Sequence, residues 1–149
     1  VRPQNGITRA EVATIFFRLL TDDVRDENLT KTNRYSDVAA TSWYNTAVST
    51  LSSMGIITDY PDGTFGPQRD ITRAETMTLV NRILNRQPEA EDDLLPNMTV
   101  WTDNANPKAW YYLAVQEATN SHYYKFKTNS KYEKWTELRE TRDWTQLEK

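Results

Sequence analysis

Cysteine is missing from all 149 residues, which excludes disulfides and thiolate-bound metals. Histidine occurs once, as His122, so no multi-histidine metal site can be built. No apolar stretch approaches bilayer-spanning length, and no signal peptide is present. No block of lysine and arginine stands out, and the net charge of −3 argues against a nucleic-acid footprint. Glu91, Asp92 and Asp93 sit together, but in a linker-like run that reads as solvated charge rather than acid–base machinery. From Asp59 a calcium loop is suggested only superficially. Pro61 and Thr64 fall at its third and sixth positions, where an oxygen ligand and a glycine are needed. The expectation is a protein without enzymatic activity, metal or cofactor.

Aromatic residues, by contrast, are plentiful: five Trp and eight Tyr are many for this length, and some should lie at a gripping surface. The pentapeptide Ile-Thr-Arg-Ala-Glu occurs twice, at Ile7–Glu11 and Ile71–Glu75, an offset of 71 − 7 = 64 residues. Pro3/Pro67, Gln4/Gln68, Thr14/Thr78, Arg18/Arg82 and Leu20/Leu84 coincide at the same offset. A second pattern is also shared. Tyr35-Ser36-Asp37-Val38 runs on to Trp43-Tyr44 and Ala47-Val48, and Trp101-Thr102-Asp103-Asn104 runs on to Trp110-Tyr111 and Ala114-Val115. Matching flanks at one period mark a repeat protein.

Three segments follow. Residues 1–34 hold the second half of a first unit plus a connection, 35–99 a complete unit plus a connection, and 100–149 a divergent third unit. The chain opens inside a repeat, which leaves room for a signal peptide upstream in a longer precursor. Thr72-Arg73-Ala74-Glu75 matches the Ser/Thr-x-x-Glu capping box, and Met77, Val80, Ile83 and Leu84 continue at helical spacing, which predicts a helix over 73–85. Thr8 and Glu11 repeat the device. A preceding helix begins after Thr41-Ser42 with Trp43, Ala47, Val48, Leu51 and Met54 as its apolar stripe, and Gly55 supplies a left-handed cap. Tyr60-Pro61-Asp62-Gly63-Thr64-Phe65 reads as a turn, since Pro sets one φ and Gly allows a positive one. The tail 132–149, with Trp135, Leu138, Trp144 and Leu147 as apolar punctuation, reads as a closing helix. One helical hairpin cannot hide its stripe alone, so neighbouring units must stack.

These residues resemble the S-layer homology (SLH) repeat of bacterial surface proteins: Tyr35-Ser36-Asp37-Val38, Trp43, Gly55-Ile56, the Tyr60–Phe65 turn and Ile71–Glu75. The resemblance implies a mainly α fold of tandem helix–loop–helix repeats, three of them forming a pseudo-threefold prism around a central helical bundle. Here the first repeat is truncated at its N-terminal half. It also implies an extracellular, noncovalent cell-wall anchor. Its ligand would be secondary cell-wall polysaccharide, often pyruvylated, bound in grooves between repeats, or in some bacteria peptidoglycan. A structural protein–protein role in a surface lattice is the competing reading. The third copy departs from the pattern: it lacks both the Pro-Asp-Gly turn and the cap, and Glu137 falls where arginine is wanted.

Arg73 and Arg9 are the sharpest candidate ligand residues. Each sits first after a capping threonine, at the positive helix end where a guanidinium can clamp a sugar carboxylate. Alternatively each pairs with a nearby aspartate or covers apolar surface with its stem. Asp37 and Asp103 either organise a turn or accept hydrogen bonds from sugar hydroxyls. Trp43 and Trp110 either stack on a pyranose or wedge between helices, with core packing favoured for Trp43. Tyr60 and Gly63 line the groove beside the cap. The first unit's opening helix comes from upstream residues, from another chain, or not at all, and in the last case Val12, Ile15, Phe16 and Leu19 would drive self-association.

Overall fold

A computed structural model describes residues 6–140 and 143–147, and the chain divides after Thr72 into two compact units. In the first unit, α1 (Arg9–Leu19) opens on the expected capping box: Thr8 accepts from the Glu11 amide, and the Glu11 carboxylate accepts from the Thr8 amide. α2 (Asp22–Asn28) lies within the stretch read as a bare connection. α3 (Asn45–Ser53) packs on α1 and buries Ala47, Val48 and Leu51. Its polar side is buried as well, and for a reason: Asn45 donates to the Lys31 carbonyl at 2.9 Å and Thr50 to the Thr30 carbonyl at 3.2 Å. These bonds fasten the segment between α2 and α3, which would otherwise leave backbone groups unsatisfied.

α3 ends as its glycine predicts. Gly55 takes φ +71°, its amide donates to Ser52, and the Ile56 amide returns to Leu51, which folds buried Ile56 over the helix end. In the turn that follows, Gly63 takes φ +78° and donates to the Tyr60 carbonyl, while Asp62 accepts from both the amide and the hydroxyl of Thr64. Those bonds hold the Asp62 carboxyl below its ordinary pKa.

The second unit contains α4 (Arg73–Ile83) and α5 (Tyr112–Thr119), packed on each other, with Asn81 donating from α4 to the Ala114 carbonyl at 2.9 Å. α4 stops at Asn85, which adopts φ +53° and sends the Arg86 amide back to Asn81. The tail corrects the sequence reading: instead of a closing helix, β2 (Glu133–Leu138) pairs antiparallel with β1 (His122–Phe126). Trp135 and Leu138 share helical spacing, but Glu133 and Trp135 are both buried and flank exposed Lys134, the alternation of a strand. A register shift between Tyr123 and Tyr124 marks a bulge in the ladder. Among the described residues of the remaining tail, Trp144–Leu147 form a single 3-10 turn. Trp135 joins Leu94 and Tyr112 in the core, with Met98, Leu113 and Leu138 packed around them.

The acidic run is corrected at one position only, since Glu91 and Asp92 are exposed as expected. Asp93 is buried, accepts from the amides of Glu89 and Ala90, and pairs with Lys127 at 3.0 Å. Burial alone would raise its pKa, but the Lys127 ammonium and the two amides outweigh that and hold it low. A depressed folded pKa gives stability that is present above the ordinary carboxylate range and lost as pH falls through the folded value. Asp93→Asn should therefore cost about 1–2 kcal/mol at neutral pH, a gap that closes on acidification. Denaturant titrations of both proteins across that range measure it, and a gap independent of pH would refute the assignment.

Candidate functional site

The repeated arginine and aspartate occur twice in the structure, in opposite circumstances. In the first unit, Asp37 accepts the Phe65 amide at 2.9 Å on one oxygen and the Gly66 amide at 2.7 Å on the other. Arg9 donates from Nε to the Phe65 carbonyl at 2.8 Å and from Nη2 to the Thr58 carbonyl at 3.1 Å. Its guanidinium lies 4.6 Å from the Tyr60 ring and 4.8 Å from Phe65, and Arg69 covers Tyr60 at 4.3 Å. Arg9 is 9% exposed. Asp37 thus organises the loop at Phe65–Gly66, the first of its two readings, and Arg9 holds the same loop by its carbonyls. Gly66 belongs to the same construction: at φ +69°, a Cβ there would come within 2.9 Å of Tyr60.

The second instance is open. Arg73 is the first residue of α4, Asp103 lies in the 3-10 turn Thr102–Asn104, and their side chains are 70% and 72% exposed. They stand 3.8 Å apart, an ion pair too long for a hydrogen bond. Among the described residues after Asp103 the turn that Arg9 and Asp37 hold has no counterpart, and β1 and β2 are joined through a loop with Asn129 at φ +54°. The same two residue types are thus presented outward. An exposed pair of this kind is worth about 0–1 kcal/mol, so an incoming carboxylate can displace Asp103 from Arg73 at little cost.

Trp43 and Trp110 each stand edge-on to the following tyrosine, at 5.2 Å from Tyr44 and 5.4 Å from Tyr111. They are 66% and 68% exposed. Core packing, favoured from sequence for Trp43, is thereby corrected. It precedes α3, and Tyr44 takes the buried position. Tyr60 is half-buried between two guanidinium groups, and Gly63 serves the turn.

A buried charged cluster escaped the sequence reading. Arg86, Glu117, His122 and Glu133 come from the α4 terminus, α5, β1 and β2. Burial would lower the His122 pKa, but Glu117, the Asn120 carbonyl and Glu133 raise it on balance. Glu117 is held low against burial by His122, Trp135 and Arg86. No sequence period signals such a cluster, because its members meet only once the hairpin forms.

The S-layer homology domain family matches residues 34–77. Cell surface glycoprotein 1 of Acetivibrio thermocellus is 39% identical over 107 residues, covering 72% of this chain and 4% of that protein. The cellulosome-anchoring protein of the same organism is 34% identical over 90 residues, 60% of this chain and 20% of that protein. The middle cell wall protein of Brevibacillus brevis is 32% identical over 103 residues, 69% of this chain and 9% of that protein. The chain therefore spans a small fraction of the length of these relatives. No solved structure matches it. Among the described residues no helix is long and apolar enough to cross a membrane. The chain carries an S-layer homology domain and belongs to that family over the matched segment.

Proposed function

We propose that this chain is a nonenzymatic module that anchors a larger bacterial surface protein to the cell wall. Its ligand is an anionic, pyruvylated secondary cell-wall polysaccharide. Supporting the reading is the outward-facing Arg73, at the start of α4 and only loosely paired with Asp103. A guanidinium at the positive end of a helix clamps a ketal carboxylate, Asp103 accepts from sugar hydroxyls, and Trp110 stacks on a ring. The surface and anchoring names of the relatives are in keeping with this role. In this reading the segments 1–34, 35–99 and 100–149 are successive repeats of the family's pseudo-threefold prism. Exposed Ile15 and Leu19 are the surface through which the first would self-associate.

Arg73→Ala should weaken binding to purified, pyruvylated wall polysaccharide by about tenfold or more, with helicity unchanged. Depyruvylated polysaccharide should bind wild type no better than the variant. Equal retention of both proteins on the pyruvylated polymer would defeat the proposal. Sacculi stripped of protein separate it from a lattice role, since contacts to neighbouring subunits would not survive that treatment, and from peptidoglycan binding, which would survive removal of the polysaccharide.

A further inference from the structure

We propose that Glu117, His122 and Glu133 form a binding site for a divalent transition-metal ion of the zinc class, in exchange with the Arg86 guanidinium. The reading is independent of glycan binding and concerns a different part of the second unit. Each residue offers one ligand atom, all within 4.8 Å of one another. His122 Nε2 lies 3.2 Å from Glu133 Oε1 and 3.3 Å from Glu117 Oε2. A metal with bonds of about 2.0 Å in tetrahedral geometry holds its donors about 3.3 Å apart, a spacing that both imidazole–carboxylate separations match.

The surroundings are those of a metal centre. His122 Nδ1 is 2.6 Å from the Asn120 carbonyl, which accepts a proton from that nitrogen and leaves Nε2, once deprotonated, as the metal-facing atom beside the carboxylates. Trp135 Nε1 donates to Glu117 Oε2 at 2.8 Å, and the Trp135 ring stacks on the imidazole at 3.9 Å, so orientation is locked from two sides. The His122 and Glu133 side chains are 3% and 0% exposed. Imidazole with two carboxylates and no thiolate suits zinc and its neighbours rather than calcium or a soft ion.

Arg86 is the cation now in place. It donates from Nε to Glu133 Oε2, and its Nη2 lies 3.0 Å from Glu117 Oε1 and 2.9 Å from His122 Nε2. A divalent ion with neutral imidazole balances the two carboxylates, so its uptake displaces the Arg86 guanidinium and any proton that the carboxylates hold on His122. Arg86 has somewhere to go: its side chain is 25% exposed, and its guanidinium already rests 3.6 Å from the Tyr124 ring. The ion would tie β1 and β2 to α5, stapling the hairpin that stands where the second helix of a regular repeat would be. Protons compete for Nε2, so uptake strengthens as pH rises and releases protons.

Since His122 is the only histidine, a tag-free chain gives a single set of imidazole NMR signals. Titration with zinc chloride should move that set to a new position, complete at one ion per chain, with Nε2 as the metallated nitrogen. Cobalt chloride should give the intense visible bands of a four-coordinate ion. His122→Gln should weaken zinc uptake, read by calorimetry, more than about tenfold. Imidazole signals that stay put through excess zinc would overturn the proposal, as would uptake unchanged in a folded His122→Gln protein. If that variant does not fold, the wild-type imidazole and cobalt signals decide alone.

Discussion

Replacement of Trp135 by alanine is expected to destabilise the protein by about 3–5 kcal/mol, the range for truncating a large aromatic in a closed core. The side chain is 2% exposed and packs with Leu94 and Tyr112. It also supplies the indole N–H that Glu117 accepts and the face on which His122 stacks, so its loss leaves a void and a buried carboxylate short of a donor. Guanidinium unfolding followed by far-UV circular dichroism reads the effect, and a cost below about 1 kcal/mol would mean that the hairpin does not close a core. Lys134→Ala, one residue away on the exposed side of β2, is the control and should change little.

Asp37→Ala is the second large effect, expected at about 2–4 kcal/mol. Two backbone amides on a buried segment would lose a charged acceptor together, and each such bond contributes about 1.5–3 kcal/mol before relaxation. Asp103→Ala, at the equivalent place in the next copy, should stay within about 0.5 kcal/mol, because its carboxylate is 72% exposed and makes only a long ion pair. Matched denaturation curves settle the contrast. Equal losses at the two positions would show that Asp103 also holds a turn, and would remove the case for an open Arg73 beside it.

Local chemistry was legible wherever a residue acts through its chain neighbours. The Thr8–Glu11 box needs four consecutive residues, the α3 cap needs Gly55 followed by an apolar residue, and the Tyr60–Phe65 turn needs its Pro, Asp and Gly. Helix spacing over 73–85 predicted α4, which runs Arg73–Ile83. The tail misled because Trp135 and Leu138 satisfy a helical period while Glu133 and Trp135 satisfy a strand period. A charged residue counted as polar surface, although burial against Arg86 makes it an inward-facing member of the strand. Asp93 was misjudged for the same reason, its partner Lys127 lying far along the chain.

By itself the sequence determined the repeat, its caps and turns, and the family to which residues 34–77 belong, since each is written in short-range order. Which member of each repeated pair is used up and which faces outward was decided only by tertiary structure. Arg9 and Arg73 have identical neighbours in the pentapeptide, yet one is enclosed by a turn 49 to 56 residues away and the other is left open. A side chain's exposure depends on what the rest of the chain brings to it, and that is long-range information which no local motif carries.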